Sequence, residues 1–284
     1  MFAITGITGN VGGEIAEQLL AAGKQVRAVV RDARKGEAWA ARGCEVAIAD
    51  MGNLESLTAA FRGAEAVFVL VPPVFDPQPG FPEAREMAET LTKAIEAARP
   101  GRVVHLSTIG AQATQENLLT QHTIIEAAVG SVSVPVTFLR PGWFMENSSW
   151  DVAAAKQGAV PSFLQPLDKG FPMIATKDIG KLGAELLQET WTGVRVVELV
   201  GPEPVTPNQI AETFAKILGL PVSTAVVPRE SWEELFRSQG MTNPLPRMQM
   251  LDGFNEEWIR FEGVPRKGEV GLEAVLRGLV EKAR

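Results

Sequence analysis

Through the first half of the chain, short apolar runs alternate with stretches whose apolar positions recur once per helical turn. Phe2–Thr5 reads as a strand. Val11, Ile15, Leu19 and Ala22 then share one helical face, and Gly23 ends that helix. Gln25–Val30 is a second strand, followed by a helix that Asp32 can cap and that runs to about Arg42. Glu45–Ala49 is a third strand, and Leu54, Leu57 and Phe61 mark the next helix. Val67–Val71 is continuously apolar, as a strand covered on both faces must be. After the proline-rich stretch Pro72–Pro82, Met87, Leu91, Ile95 and Ala98 repeat at helical spacing. Arg102–Ser107, Thr120–Val129 and Val136–Arg140 predict a strand, a helix and a strand. Strands joined by helices predict βαβ units and a parallel sheet.

Beyond Pro141 the periodicity weakens. Gly142–Gly170 contains Trp143, Phe144, Trp150 and Phe163 but no clear period. Asp178 predicts the N-cap of a helix ending near Gln188, and Val194–Val200 predicts a strand. Thr206-Pro-Asn-Gln209 has the form of a capping box with proline at the first helical position, and that helix ends at Gly219. Ser231-Trp-Glu-Glu234 predicts a second capping box, and Val222–Val227 a strand. The expected fold is therefore α/β: a doubly wound, Rossmann-like parallel sheet with a smaller, mostly helical C-terminal lobe. Residues 1–145 are expected to form the dinucleotide-binding domain, with 171–200 returning to it. Residues 146–170 and 201–284 are expected to form the substrate lobe over the carboxyl ends of the strands.

Composition narrows the chemistry. Formal charge is −7, which argues against nucleic acid, because phosphate binding needs clustered cations. No apolar run suits a membrane span, and no basic segment precedes an apolar one at the N-terminus. One cysteine, Cys44, fits a reducing cytoplasm and excludes an internal disulfide. One cysteine and two histidines make a zinc site an unsuitable expectation. There is no tyrosine, so no catalytic tyrosine exists. The chain is expected to be a monomer or a homodimer with a small-molecule partner.

Thr5-Gly-Ile-Thr-Gly-Asn-Val-Gly12 follows a strand and opens a helix, the context in which three glycines bind a diphosphate. Gly6 suits the tight turn, Gly9 allows close approach of the backbone, and Gly12 allows the helix to pack on the sheet. Thr8, Asn10 and Val11 complete this turn, whose amides and helix dipole face the diphosphate. The spacing is G-x-x-G-x-x-G. At the end of the second strand, Arg31-Asp32 precedes Arg34-Lys35. Arg31 and Lys35 suit a 2′-phosphate while Asp32 caps the helix, which predicts NADP(H) in preference to NAD(H). Asp50 either binds the adenine amino group, with Met51 against the ring, or caps the next turn.

These residues resemble the NmrA-like family of atypical short-chain dehydrogenases/reductases, and within it the bacterial NAD(P)H:quinone oxidoreductases. The resemblance is carried by Thr5–Gly12, Val29-Val-Arg-Asp32, Ala49-Asp50, Leu106-Ser-Thr108, His122-Thr-Ile-Ile-Glu126, Phe138–Asn147 and Ile174–Ile179. Typical short-chain dehydrogenases place Tyr-x-x-x-Lys on the helix after the fifth strand; His122 and Glu126 stand at that spacing here, as in the quinone-reductase-like relatives. The resemblance implies an NADPH-dependent reductase of a flat acceptor such as a quinone. Its alternative is a non-catalytic NADP(H) sensor acting through a protein partner, since the family contains both.

His122 and Glu126 share a helix face, and a carboxylate beside an imidazole raises its pKa, so His122 would donate a proton to the acceptor; alternatively the pair is structural. His105 is expected to be a hydrogen-bonded core or strand-end residue. Ser107 and Thr108 end the fifth strand, where ligands of such sheets bind. Val71 and Pro72 end the fourth, beside the expected nicotinamide ribose. Phe75, Trp143 and Phe144 would line a flat pocket or belong to ordinary core. Asn147 would orient an acceptor carbonyl or cap a turn.

Overall fold

The computed structural model describes residues 1–283. In chain order the first half forms β1 (Phe2–Ile4), α1 (Asn10–Ala21), β2 (Val26–Val30), α2 (Ala33–Ala40), β3 (Glu45–Ile48), α3 (Leu54–Phe61), β4 (Ala66–Val69), α4 (Pro82–Ala98), β5 (Val103–Leu106), α5 (Thr120–Val129) and β6 (Val136–Pro141). The second half forms β7 (Trp143–Phe144), a 3-10 segment at Met145–Trp150, α6 (Val152–Ala155), β8 (Ala159–Ser162), β9 (Met173–Ile174), α7 (Thr176–Gln188) and β10 (Val194–Val200). It continues with α8 (Pro207–Leu218), β11 (Ser223–Val226), α9 (Trp232–Ser238), α10 (Leu245–Asn255), β12 (Arg266–Lys267) and α11 (Leu272–Lys282).

Eight strands build one parallel sheet in the order β3-β2-β1-β4-β5-β6-β10-β12. The order reverses between β1 and β4, the switch point at which doubly wound sheets open a ligand crevice. Strand alternation sends neighbouring side chains to opposite cores. Ile4, Phe68, Leu106 and Leu139 join α1 and α7 on one face. Ala3, Val67, Val103 and Phe138 join α3, α4 and α5 on the other. Complete burial of a side chain such as Phe68 stabilises by about 2–3 kcal/mol.

Helix α7 lies close on α1 because small residues line the contact. A Cβ on Gly180 would stand 2.4 Å from the Glu14 Cβ, and one on Gly183 would stand 2.8 Å from the Ile15 Cδ1. A third core, containing Val160, Phe171, Phe214, Trp232, Phe236, Leu251 and Leu276, joins α6, α8, α9, α10 and α11. Here the Trp232 indole N–H donates to the Val227 carbonyl at 2.8 Å, so the buried ring leaves no polar atom unpaired. Arg266–Lys267 leaves this region and joins the main sheet beside Leu199 and Val200.

Two expected caps are corrected. Helix α7 starts after Ala175, and Asp178 sits inside it; its buried carboxylate accepts from the Glu269 and Val270 amides at 3.0 and 2.9 Å. Ser231 precedes α9 but makes no cap, because its hydroxyl donates to the Pro228 carbonyl at 2.7 Å. The Thr206–Gln209 capping box is present with both reciprocal bonds. Among the described residues no helix is long and apolar enough to cross a membrane.

Candidate functional site

Thr5 fastens the switch point. Its hydroxyl accepts from the Leu70 amide at 2.8 Å and lies 3.2 Å from the Phe68 carbonyl, so β1 and β4 are tied together just before the glycine turn. Gly6 then takes φ 64°, where a side chain would be strained and a Cβ would stand 3.2 Å from Leu70. The turn closes with the Gly9 amide on the Gly6 carbonyl at 2.9 Å. Gly12 is held against that turn: a Cβ there would lie 2.4 Å from the Gly6 oxygen. Helix α1 starts after Gly9 with no side-chain cap, so the Asn10, Val11 and Gly12 amides lack intrahelical partners. Thr8, Gly9 and Asn10 are exposed beside them. A cradle that excludes side chains and presents free amides at a helix N-terminus fits a diphosphate.

At the end of β2, Asp32 takes the capping role. Its carboxylate accepts from the Arg34 amide and guanidinium, both at 2.9 Å, and these bonds hold its pKa below the usual range. Arg31 and Lys35 are exposed, and neither is engaged by a carboxylate among the described residues. Asp50 receives the Gly52 amide at 2.8 Å, which gives it the turn-capping role; it remains exposed, and Met51 is half-buried. Val71 and Pro72 lie just beyond β4, after Leu70, the first half-buried and the second exposed.

Ser107 follows β5 and is buried. Its hydroxyl donates to Glu126 of α5 at 2.5 Å. Glu126 is also held by Arg140 of β6, with guanidinium nitrogens at 2.6 and 2.9 Å. Arg140 is 5% exposed, and it reaches onward to Gln112 at 3.2 Å and to Glu262. Sequence reasoning missed Arg140, Gln112 and Glu262; the one available signal was a charge closing the apolar run Val136–Arg140. It also missed Glu146, whose carboxylate accepts from the Thr176 amide at 2.9 and 3.0 Å and from its hydroxyl at 2.6 Å, tying the 3-10 segment to the start of α7.

The expectation of a raised His122 pKa is corrected. Burial pushes the imidazole down to about 4, and the Glu126 charge, committed to Arg140 and Ser107, offsets this only in part. His122 is therefore neutral at pH 7, and its Nδ1 is buried without a partner. His105 lies in the core as expected, but neither of its ring nitrogens finds a hydrogen bond of good geometry. Burial first, and the His122 ring second, push His105 down to about 3. The ring centroids lie 6.4 Å apart.

Both folded pKa values lie below the unfolded value near 6.5, so below that pH the unfolded chain binds more protons. Stability then rises with pH and is lost as pH falls through the window from about 6.5 to 4. Linkage predicts a loss of about 2 kcal/mol per histidine on going from pH 8 to pH 5. Urea unfolding at the two pH values measures it, and His105→Leu is expected to remove about half of the difference. An unchanged urea midpoint would contradict two imidazoles that the fold keeps neutral.

The aromatic residues do not share one pocket wall. Trp143 and Phe144 are consecutive on β7 and face opposite ways: Trp143 packs on Phe254 at 5.1 Å between ring centroids in the lobe core, while Phe144 packs on the sheet core. Phe75, 51% exposed, instead meets Trp150, 68% exposed, edge to face at 6.4 Å. These two rings come from the segments after β4 and β6 and so flank the end of β5. The loop carrying Phe75 is pinned by Gln121, which accepts from the Val74 amide at 3.3 Å and donates to its carbonyl at 2.9 Å. Asn147 is half-buried on the 3-10 segment.

Comparison with known proteins bears on the family and the fold. Quinone oxidoreductase 2 of Escherichia coli strain K12 is 28% identical over 254 residues, covering 87% of this chain and 85% of that protein. The NAD(P)H azoreductase of Xenophilus azovorans is 26% identical over 263 residues, covering 90% and 85%. The crystal structure of the Escherichia coli NADPH-dependent quinone oxidoreductase complexed with NADPH superposes with a TM-score of 0.76 at 23% identity, over 99% of this chain and 95% of that one, and so shares the fold. The model of the NmrA-like family matches residues 1–262, and the chain belongs to that family.

Proposed function

We propose that the chain is an NADPH-dependent oxidoreductase that delivers hydride to a small, flat, electron-poor acceptor such as a quinone. The observation that carries this reading is the uncapped start of α1 behind Gly6, Gly9 and Gly12, with Arg31 and Lys35 unpaired at the end of β2. The reductase names of the relatives support the same class. The nicotinamide would supply the hydride, so the protein's part is positioning and exclusion of water. In this reading the first-turn amides hold the diphosphate, and Arg31 and Lys35 hold the 2′-phosphate. Asp50 and Met51 border the adenine. Val71, Pro72 and Ser107 border the nicotinamide side. Phe75 and Asn147 belong to the acceptor side, with His122 as a neutral imidazole, while Trp143 and Phe144 pack into the cores on either side of β7. The Ser107 proton is directed to Glu126, which leaves the Ser107 oxygen as an acceptor toward the site.

Steady-state oxidation of NADPH with a simple quinone tests the activity, and His122→Ala is expected to lower it. Arg31→Ala is expected to weaken NADPH binding at least about tenfold while leaving NADH binding unaltered, because only the 2′-phosphate contact is lost. Equal losses for the two cofactors would remove the NADP(H) preference. Tight NADPH binding with no turnover on quinones, azo dyes or enones would favour the sensor reading instead.

A further inference from the structure

Cations that this chain withdraws from water are matched by carboxylates. Arg27 meets Glu45 at 2.7 Å, Arg102 meets Glu65 at 2.9 Å and Arg140 meets Glu126 at 2.6 Å. Lys169 meets Glu257 at 2.9 Å and Arg195 meets Glu189 at 2.6 Å. The pattern has a physical cause: a desolvated charge is expensive unless paired. Arg247 of α10 breaks it. The side chain is half-buried, and among the described residues no carboxylate lies within ion-pair distance. Its neighbours are soft: the guanidinium stacks 4.3 Å from the Phe236 ring centroid, and Nη1 lies 3.7 Å from the Met241 sulfur. Burial pushes its pKa down with no opposing carboxylate. A cation–π contact returns only part of the lost hydration.

The position of α10 gives this residue a use. Just before the helix, the Thr242 and Asn243 amides donate to Asp76 at 2.8 and 2.7 Å, which anchors the loop that carries Phe75. The Pro246 carbonyl accepts from the Leu118 amide at 2.8 Å, ahead of α5. Phe254, near the other end, meets Trp143. Helix α10 thus touches the segments that follow β4, β5 and β6, which border the acceptor side in the function proposed above.

We propose that Arg247 is a specificity-determining residue of the acceptor site and binds an anionic group, such as a carboxylate, sulfonate or phosphate, carried by an otherwise flat and apolar acceptor. The guanidinium is the residue type for such oxyanions because its fork binds two oxygens at once. It also offsets locally the field of a chain with formal charge −7, which otherwise repels anions. The inference rests on the reductase reading, and the test separates the two.

A neutral naphthoquinone is compared with the same ring bearing a sulfonate, in the full chain and in Arg247→Met and Arg247→Lys. The full chain is expected to favour the sulfonate about tenfold or more in kcat/KM. Arg247→Met is expected to bring that ratio to about one through KM, and Arg247→Lys to restore part of it. Thermal shift in the presence of NADPH adds a readout independent of turnover: the sulfonated ring raises the Tm of the full chain and not that of Arg247→Met. If no acceptor is reduced but this shift is seen, the reductase reading fails and the anion site stands. A discrimination ratio unaltered by Arg247→Met, or a sulfonate-induced shift that survives it, overturns the proposal. So does a lower Tm of Arg247→Met without ligand together with unchanged discrimination, which would make the arginine structural.

Discussion

Arg140→Met is expected to destabilise the fold by about 3–5 kcal/mol, the usual cost of leaving a buried charge without its partner. Glu126 keeps only the Ser107 hydroxyl once the guanidinium is gone, and its carboxylate is almost fully buried between β5, β6 and α5. Glu262 loses an ion pair as well, but it is exposed and contributes little. The effect is therefore one of an orphaned charge and not of a valuable bond. That distinction is measurable. The double replacement Glu126→Leu with Arg140→Met removes both charges and is expected to recover most of the loss, since a buried pair exchanged for apolar side chains is often near neutral. Urea midpoints of the two single variants and the double variant give the coupling directly. A double variant as unstable as the sum of the singles would assign the pair a net stabilising role.

Gly12→Ala is expected to weaken NADPH binding by about 100-fold or more. Its Cβ would stand 2.4 Å from the Gly6 oxygen, 2.6 Å from the Gly6 carbonyl carbon and 2.9 Å from the Ile7 nitrogen. All three are backbone atoms in the turn that follows the Thr5 fastening, so no side-chain rotamer relieves the clash. The start of α1 must move away from the turn, and the amides that would meet the diphosphate move with it. Losing two charge-assisted hydrogen bonds of about 1.5–3 kcal/mol each accounts for the magnitude. Overpacking adds about 1–3 kcal/mol of lost stability. Gly13→Ala is the matched control: its Cβ would meet only the Ile7 oxygen at 3.3 Å and Trp39 at 3.9 Å. Titration of NADPH against intrinsic fluorescence separates the two variants, and similar dissociation constants would mean that Gly12 has no role in the cradle.

Where one layer of physics dominates, the sequence is legible. Thr120–Val129 and Val194–Val200 were readable to the residue from period and flanking breakers, and the Thr206 box carries its own hydrogen-bond partners within one turn. The region 142–170 was opaque because its strands depend on partners far away in the chain. β7 exists through its pairing with β9, and β8 through its pairing with β11, both distant in the chain. Asp178 and Ser231 have the right chemistry for caps, but the distant 269–270 amides claim the Asp178 carboxylate and the Ser231 hydroxyl turns back to the Pro228 carbonyl. The glycine turn and Arg31 were visible because their spacing is local. The Ser107–Glu126–Arg140 cluster was not, since its members come from β5, α5 and β6 and meet only once the sheet has formed.

The strand order also governs how the chain is made. All six residues of β6 are buried in the finished sheet, and β10 supplies the hydrogen bonds along their outer edge. That strand is separated from β6 by the whole 142–193 segment, so translation at roughly 5–20 residues per second leaves Val-Thr-Phe-Leu open for several seconds. An uncovered apolar edge in a nascent chain is a template for intermolecular pairing. The recovery of folded protein is thus a race between the arrival of residues 194–200 and aggregation. Slower elongation lengthens the exposure, while dilution or a holding chaperone favours the correct outcome.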